Sequence, residues 1–117
     1  MQLTDSQTFG VRQTADPDGA TRILLIGELD LAGVARLDEC LAPLRKTRAH
    51  TRLDLSELRF IDSSGLRVLV TNRRDAERDG WQLEIETELC PQVHKLVELT
   101  GVGPTLWPDR SAGQQPA

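Results

Sequence analysis

The sequence predicts an α/β fold, in which one small and mostly parallel sheet of four to five strands is flanked by about four helices. Three observations lead to this fold class. Apolar runs of strand length alternate along the chain with amphipathic stretches of helix length. Turn residues separate these segments, and right-handed crossovers are the usual way to connect strands and helices in this order. The chain has 117 residues, of which 38% are hydrophobic and 27% charged, as expected for one compact soluble domain.

The first strand is predicted near the start of the chain. We expect the domain to span residues 9–107, preceded by a flexible N-terminus at residues 1–8 and followed by a disordered tail at residues 108–117. Phe9–Arg12 predicts a short strand. The sequence Asp16-Pro17-Asp18-Gly19 then supplies a turn, because proline presets φ and glycine accepts a positive φ.

The second strand and the first helix follow that turn. Ile23–Ile26 is apolar at every position, which predicts an interior strand covered on both faces. Asp30 then occupies the position of a helix cap. Pro43 lacks a backbone donor and should kink the helix or end its regular part near Ala42. The apolar stripe of this helix is formed by Val34, Leu37, Leu41 and Leu44.

The second half of the chain repeats the alternation. Leu53 and Leu55 alternate with charged residues and predict a strand with one buried face. Gly80 ends the next helix, and Pro91 suits the first turn of the last long one. A strand with one wet face lies between them, at Trp81, Leu83 and Ile85. The stripe of the middle helix is formed by Leu66, Leu69, Val70, Arg73 and Ala76.

One edge of the predicted sheet collects the loops that could bind something. In a parallel sheet the strand C-termini and helix N-termini share an edge, and ligands bind there. That edge should hold the loop after Leu29, the FIDSSG sequence of residues 60–65 and the start of the Pro91 helix. Residues of the types found at Asp62–Gly65 all suit a helix start, so a plain N-cap is the alternative interpretation of this motif.

Composition excludes several functional classes. A net charge of -4 argues against a nucleic-acid partner, which would require a basic surface. The longest unbroken apolar run, Ile23–Ile26, is far too short to span a bilayer, so we expect no direct membrane insertion. The first residues lack the features of a signal peptide, and a cytoplasmic location is expected. Cys40 and Cys90 are isolated and are expected to be reduced thiols.

Catalysis and metal binding are also not expected. A nucleophilic Ser63 would need a histidine and an oriented acid, but GxSxG is absent. His50 precedes the Leu53 strand, at the opposite end from Ser63, and His94 is expected to flank the edge. No pair of His, Cys or acidic residues has ligand spacing, and no cofactor is predicted. The acidic residues after Trp81 are interpreted as a solvated face, at Glu84, Glu86 and Glu88.

Three blocks of the sequence resemble a known family. They are GELD (Gly27–Asp30), LDLSELRFIDSSGLRVLV (Leu53–Val70) and CPQVHKLVELTGV (Cys90–Val102). In order and spacing they resemble the STAS domain, specifically the bacterial anti-sigma factor antagonists, over Phe9 to Trp107. The resemblance implies that Ser63 is a phosphorylation site, with Ser64 as the second choice.

The resemblance also implies partners and a mechanism of partner switching in transcription regulation. The unphosphorylated antagonist binds an anti-sigma factor with serine-kinase activity, and the sigma factor is released. Phosphorylation by that kinase ends the interaction, and a metal-dependent serine phosphatase reverses it. STAS domains also act as non-phosphorylated scaffolds in signalling assemblies and as accessory subunits of lipid transporters, which is the alternative function.

The implied partner-binding residues lie in two loops. The first loop is Glu28, Leu29, Asp30 and Leu31, where Asp30 is either a direct contact or simply the cap of the first helix. Gly65, in the second loop, is expected to let a partner backbone approach closely because it has no side chain. The second loop is Asp62, Ser63, Ser64, Gly65, Leu66 and Arg67.

Overall fold

The computed structural model describes residues 9–108, and these residues form four strands and four helices. The predicted flexible start and the predicted tail beyond Pro108 lie outside the described residues, so the limits of the domain stay predictions. The elements in chain order are β1 (Phe9–Ala15), β2 (Thr21–Leu29), α1 (Leu31–Thr47), β3 (Thr51–Ile61), α2 (Ser63–Asp79), β4 (Leu83–Ile85), α3 (Pro91–Thr100) and α4 (Gly103–Leu106).

The four strands form one sheet in the order β1-β2-β3-β4. β1 and β2 are antiparallel and are joined by the predicted turn, in which Gly19 has a φ of 93°. β2 pairs with β3, and β3 with β4, in parallel, so α1 and α2 lie on the crossovers between parallel neighbours. The predicted α/β fold with a mostly parallel sheet is confirmed.

β2 is an interior strand, but only one of its faces is fully covered. Ile23, Leu25 and Leu29 are completely buried, whereas Leu24 and Ile26 are half-buried. The prediction that both faces are covered was therefore wrong. The buried face packs on one hydrophobic core that includes residues of all four helices, and the other face carries the charged side chains described below.

α1 continues through its proline. Pro43 lies inside a helix that runs to Thr47, so the predicted end near Ala42 was wrong, and the alternative of a kink stays a prediction. The helix is anchored on both sides of the proline, because Leu41 is buried before it and Leu44 packs against the core after it. A helix interior that lacks one backbone donor is tolerated where packing holds the turns on either side.

α2 has the buried stripe that the sequence predicts. Leu66, Leu69 and Ala76 are buried, and the helix ends at Gly80 with a φ of 74°. Asn72 is also buried on this face, and its side-chain amide donates to the Val68 carbonyl at 2.9 Å.

The less covered face of the sheet carries a network of ion pairs. Arg22 Nη1 lies 2.9 Å from Asp54 Oδ2 and 2.6 Å from Glu86 Oε1. Arg52 Nε lies 3.2 Å from Glu84 Oε1. Glu84 and Glu86 are thus paired with cations, which corrects their interpretation as a merely solvated face.

No helix among residues 9–108 is both long enough and apolar enough to cross a membrane. Over the same residues, no cluster of three or more His, Cys, Asp or Glu side chains could hold a metal ion, and Cys40 and Cys90 are free thiols.

Candidate functional site

The candidate site is built from two equivalent strand-to-helix steps at the same edge of the sheet. β2 ends at Leu29 and α1 begins two residues later, while β3 ends at Ile61 and α2 begins two residues later. The strands are parallel neighbours, and Leu29 lies opposite Ile61. The backbone N–H of Asp62 donates to the Leu29 carbonyl at 3.2 Å and ties the two loops together. The structure therefore brings together the two loops that the sequence pointed to.

An aspartate caps the helix at each step. Asp30 Oδ1 accepts a hydrogen bond from the Gly33 N–H at 3.2 Å, and Asp62 Oδ1 accepts one from the Gly65 N–H at 2.9 Å. Both aspartates have the extended backbone of an N-cap. Asp30 is therefore the cap of α1, and Asp62 has the same role in α2. Both are half-buried, so each also has an exposed part at the edge.

The cap places Ser63 as the first residue of α2. Its side chain is exposed, and among residues 9–108 its hydroxyl makes no hydrogen bond. Ser64, which the resemblance gives as the second-choice phosphorylation site, is half-buried. A group added to the Ser63 hydroxyl would lie in solvent beside a helix N-terminus, where the dipole favours negative charge.

Gly65 has a different role from the one the sequence suggested. A Cβ at this position would lie 2.5 Å from the Leu29 carbonyl oxygen and 2.8 Å from Ile61 Cγ1. The glycine therefore allows α2 to approach the end of β2 within the protein. The space beside it is filled by the protein's own strands, so the expectation of close approach by a partner was wrong.

Two further predicted contact residues are also internal. Leu29 is completely buried and Leu66 is 6% exposed, so their side chains shape the loops from inside and do not reach a docked protein. The physical reason is that both belong to the hydrophobic core that holds the edge together. The predicted residues that do reach the surface are Ser63, Arg67 and Leu31, with Glu28, Asp30, Asp62 and Ser64 half-buried.

Two exposed apolar side chains flank the edge. Leu31 is 72% exposed at the start of α1, and Phe60 is 47% exposed near the end of β3. Phe60 lies opposite Glu28 of the first loop in the strand register. Phe60 was missed as a surface residue, because it lies next to Ile61 in an apolar sequence and only the strand register shows that it turns outward.

A groove between α1 and α2 opens beside Ser63. Its volume is about 780 Å³. Leu31 and Val34 of α1 and Val68 of α2 contribute apolar surface, and Ser63 and Arg67 also line it. The groove thus presents apolar, cationic and hydroxyl groups side by side.

The histidines do not assemble a catalytic site with Ser63. His50 Nε2 lies 2.8 Å from Glu84 Oε2, just before β3, whereas Ser63 follows the other end of that strand. An eleven-residue strand is about 35 Å long, so His50 cannot reach the serine. His94 is exposed on α3, 3.8 Å from Glu98.

This edge, with its two capped helix starts on parallel strands, defines a class of small α/β domain. The family described as "Mlab, STAS domain" matches residues 13–107. The chain therefore belongs to the STAS domain family.

Two proteins with similar sequences are anti-sigma factor antagonists by name. The chain is 30% identical over 81 residues to an anti-sigma-B factor antagonist of Bacillus subtilis, covering 69% of this chain and 73% of that protein. It is also 30% identical over 86 residues to an anti-sigma F factor antagonist of Paenibacillus polymyxa, covering 72% and 73% respectively.

A solved structure has the same fold. The crystal structure of an anti-sigma factor antagonist from Mycobacterium paratuberculosis matches with a TM-score of 0.71, over 89% of this chain and 87% of that one. The two sequences are 20% identical, so this likeness is evidence of fold alone.

Proposed function

We propose that this protein is an anti-sigma factor antagonist that acts by partner switching. Its unphosphorylated form binds an anti-sigma factor with serine-kinase activity, and the sigma factor is released. The names of its curated relatives support the class of partner. The kinase, the switch and the reversing serine phosphatase are what the resemblance to these antagonists implies.

The observation that supports the switch most strongly is the position of Ser63. This serine is exposed as the first residue of a capped helix, on an edge that also exposes Leu31. A partner that buries the apolar side chain of Leu31 would also cover the serine hydroxyl. A hydroxyl is small and neutral, so it is accommodated in such an interface at little cost.

The modification is an ordinary phosphoryl transfer. The Ser63 oxygen attacks the γ-phosphorus of ATP, the new P–O bond forms, and the bond from that phosphorus to the bridging oxygen breaks. ADP leaves with the bonding electrons, and the hydroxyl proton passes to a base of the kinase. The product carries a charge of about -1.5 to -2 at neutral pH.

That charge should affect docking far more than folding. On the free protein the phosphate is solvated and gains about 0.3–1 kcal/mol from the helix N-terminus, which offsets its repulsion by Asp62. In a docked interface the same charge is desolvated, at a cost of several kcal/mol, and each ~1.4 kcal/mol lowers affinity tenfold. Phosphorylation should therefore separate the partners and leave the domain folded.

Variants of Ser63 test this function. We expect Ser63→Ala to bind the anti-sigma factor as tightly as the wild type and to be insensitive to ATP. Ser63→Asp and Ser63→Glu should bind at least about tenfold more weakly while unfolding at the wild-type temperature. Affinities are measured by calorimetry with the anti-sigma factor, which is captured from cell extract with Ser63→Ala as bait.

Ser64→Ala is the matched control, because it removes the neighbouring hydroxyl from the same helical turn. It should take up phosphate and switch as the wild type does. Equal affinity of the alanine and acidic Ser63 variants would refute the proposal. Tight binding without any phosphate on Ser63 after incubation with the partner and ATP would favour the non-phosphorylated scaffold.

A further inference from the structure

Arg67 lies one helical turn beyond the proposed phosphorylation site. Ser63 and Arg67 are four residues apart on α2, so their Cβ atoms are about 5–6 Å apart on one helix face. Both side chains are exposed, and both line the groove between α1 and α2. At this spacing the Arg67 guanidinium can reach a group attached to the Ser63 oxygen.

The Arg67 guanidinium makes no ion pair and no side-chain hydrogen bond within residues 9–108. Two other arginines are paired, since Arg45 beside the groove contacts Asp75, and Arg78 Nε on α2 lies 3.0 Å from Asp79 Oδ1. Arg67 is thus a cation without a carboxylate partner in the described part of the chain, next to the acceptor hydroxyl.

None of the other charged groups around the groove forms an ion pair with Arg67 in the described part of the chain. Asp62 precedes the serine, but its Oδ1 is bonded to the Gly65 N–H. From α1, Asp38 and Lys46 also line the groove; Asp38 makes no ion pair within residues 9–108, and Lys46 is itself a cation. The loop of β2 contributes Asp30, which caps α1.

We propose that phosphate on Ser63 is bound by Arg67 of the same helix, which rests on the proposed phosphorylation of Ser63. The planar guanidinium can donate two parallel hydrogen bonds to phosphate oxygens. The order is also favourable, because an anion placed four residues before a cation on a helix is the better orientation. No rearrangement of the backbone is needed.

This pairing gives the switch a second component. In the unphosphorylated protein Arg67 is a free cation on the docking surface, available to a carboxylate of the partner. In the phosphorylated protein the same guanidinium is held against its own helix. Phosphorylation thus adds a negative charge at the edge and also withdraws a positive one from the partner.

The proposal is tested on the full chain with phosphoserine incorporated at position 63 during translation, so that no kinase or partner is needed. The second pKa of the phosphate, which is near 6, is measured by phosphorus NMR. Arg67→Gln should raise this pKa by about 0.3 unit or more, because an ion pair at this spacing favours the dianion. The difference should shrink in 1 M salt.

Arg74→Gln is the matched control. Arg74 is exposed on α2, and it lies eleven residues after Ser63, which is about 16 Å along the helix and beyond the ~10 Å screening length at 0.1 M salt. It should leave the phosphate pKa unchanged. The same pKa in the wild type, Arg67→Gln and Arg74→Gln would overturn the proposal.

The outcome is separable from that of the proposed function. The phosphate is installed without a kinase and titrated without an anti-sigma factor, so failure of partner switching leaves the titration result standing. Arg67 is exposed, so Arg67→Gln should keep the fold. A thermal unfolding curve that matches the wild type is the check.

Discussion

Asp62 has a structural task that does not depend on any partner. Its carboxylate accepts the Gly65 N–H at 2.9 Å, and its backbone N–H bonds to Leu29 at 3.2 Å. One residue therefore begins α2 and fixes that helix start against the neighbouring loop. Ser63 owes its exposed position to this arrangement, since the residue after an N-cap begins the first turn.

Asp62→Ala is expected to destabilise the protein by about 1 kcal/mol, because the amide of Gly65 loses its capping acceptor. Asp62→Asn should have a free energy of unfolding close to that of the wild type, since an asparagine oxygen also caps a helix. Urea unfolding measures both. A loss as large in the asparagine variant as in the alanine variant would show that the negative charge matters more than the cap.

At the scale of elements, the edge depends on how closely α2 approaches β2. Gly65 is the contact point, because any side chain there would meet the backbone oxygen of Leu29. Backbone cannot move aside as a flexible side chain can. The second loop, Asp62–Arg67, and the first loop therefore keep their relative position only while residue 65 is glycine.

Gly65→Ala should destabilise the protein by about 1–3 kcal/mol, the usual cost of forcing an extra methyl group into a packed site. Gly10→Ala is the control, because a Cβ there would lie at an ordinary 3.8 Å from Ile26 Cβ. Chemical denaturation gives both values. If the two substitutions cost the same, the close approach at Gly65 is not what holds α2 in place.

β3 shows how an element can depart from a simple alternation. Its pairing with β2 shifts register between Leu24 and Ile26 and again between Gly27 and Glu28. Each shift places an extra residue in β3. The buried apolar residues of the strand accordingly run Leu53, Leu55, Leu58 and Ile61, with steps of three after the first pair. Phe60 is turned outward as a result.

At the scale of the whole molecule, the sheet divides the protein into a hydrophobic side and a charged side. On the charged side, hydrogen bonds from Arg22 and then Arg52 lower the pKa of Asp16. A hydrogen bond from Arg52, followed by one from the Ala20 N–H, lowers the pKa of Asp18 from 3.8 to about 2. These pairs join the β1–β2 turn to β3.

Acid should weaken the fold through these carboxylates. Their folded pKa values lie below the unfolded value, so their contribution is present above about pH 4 and is lost as the pH falls through the folded values towards 2. Asp18→Asn should reduce the loss of unfolding free energy between pH 4 and pH 2, measured by urea unfolding at each pH.

Asp38→Asn is the control for this prediction, because Asp38 is exposed on α1 and makes no ion pair within residues 9–108. Its unfolding free energy should fall with acid as steeply as that of the wild type. The role of the Arg52 pair would be rejected if Asp18→Asn lost stability with the same slope.

The sequence by itself determined the order of the strands and helices along the chain and the placement of Ser63 at a helix start on the shared edge, and it offered Asp30 and Asp62 as candidate caps. These features follow from periodicity and capping, which depend on residues a few positions apart. Tertiary structure alone decided that Gly65 faces Leu29, that Leu29 and Leu66 are internal, and that Phe60 is exposed. Each of these depends on how segments distant in the chain approach one another, because a bulge or a backbone contact between strands is set by both partners and is not written in either segment.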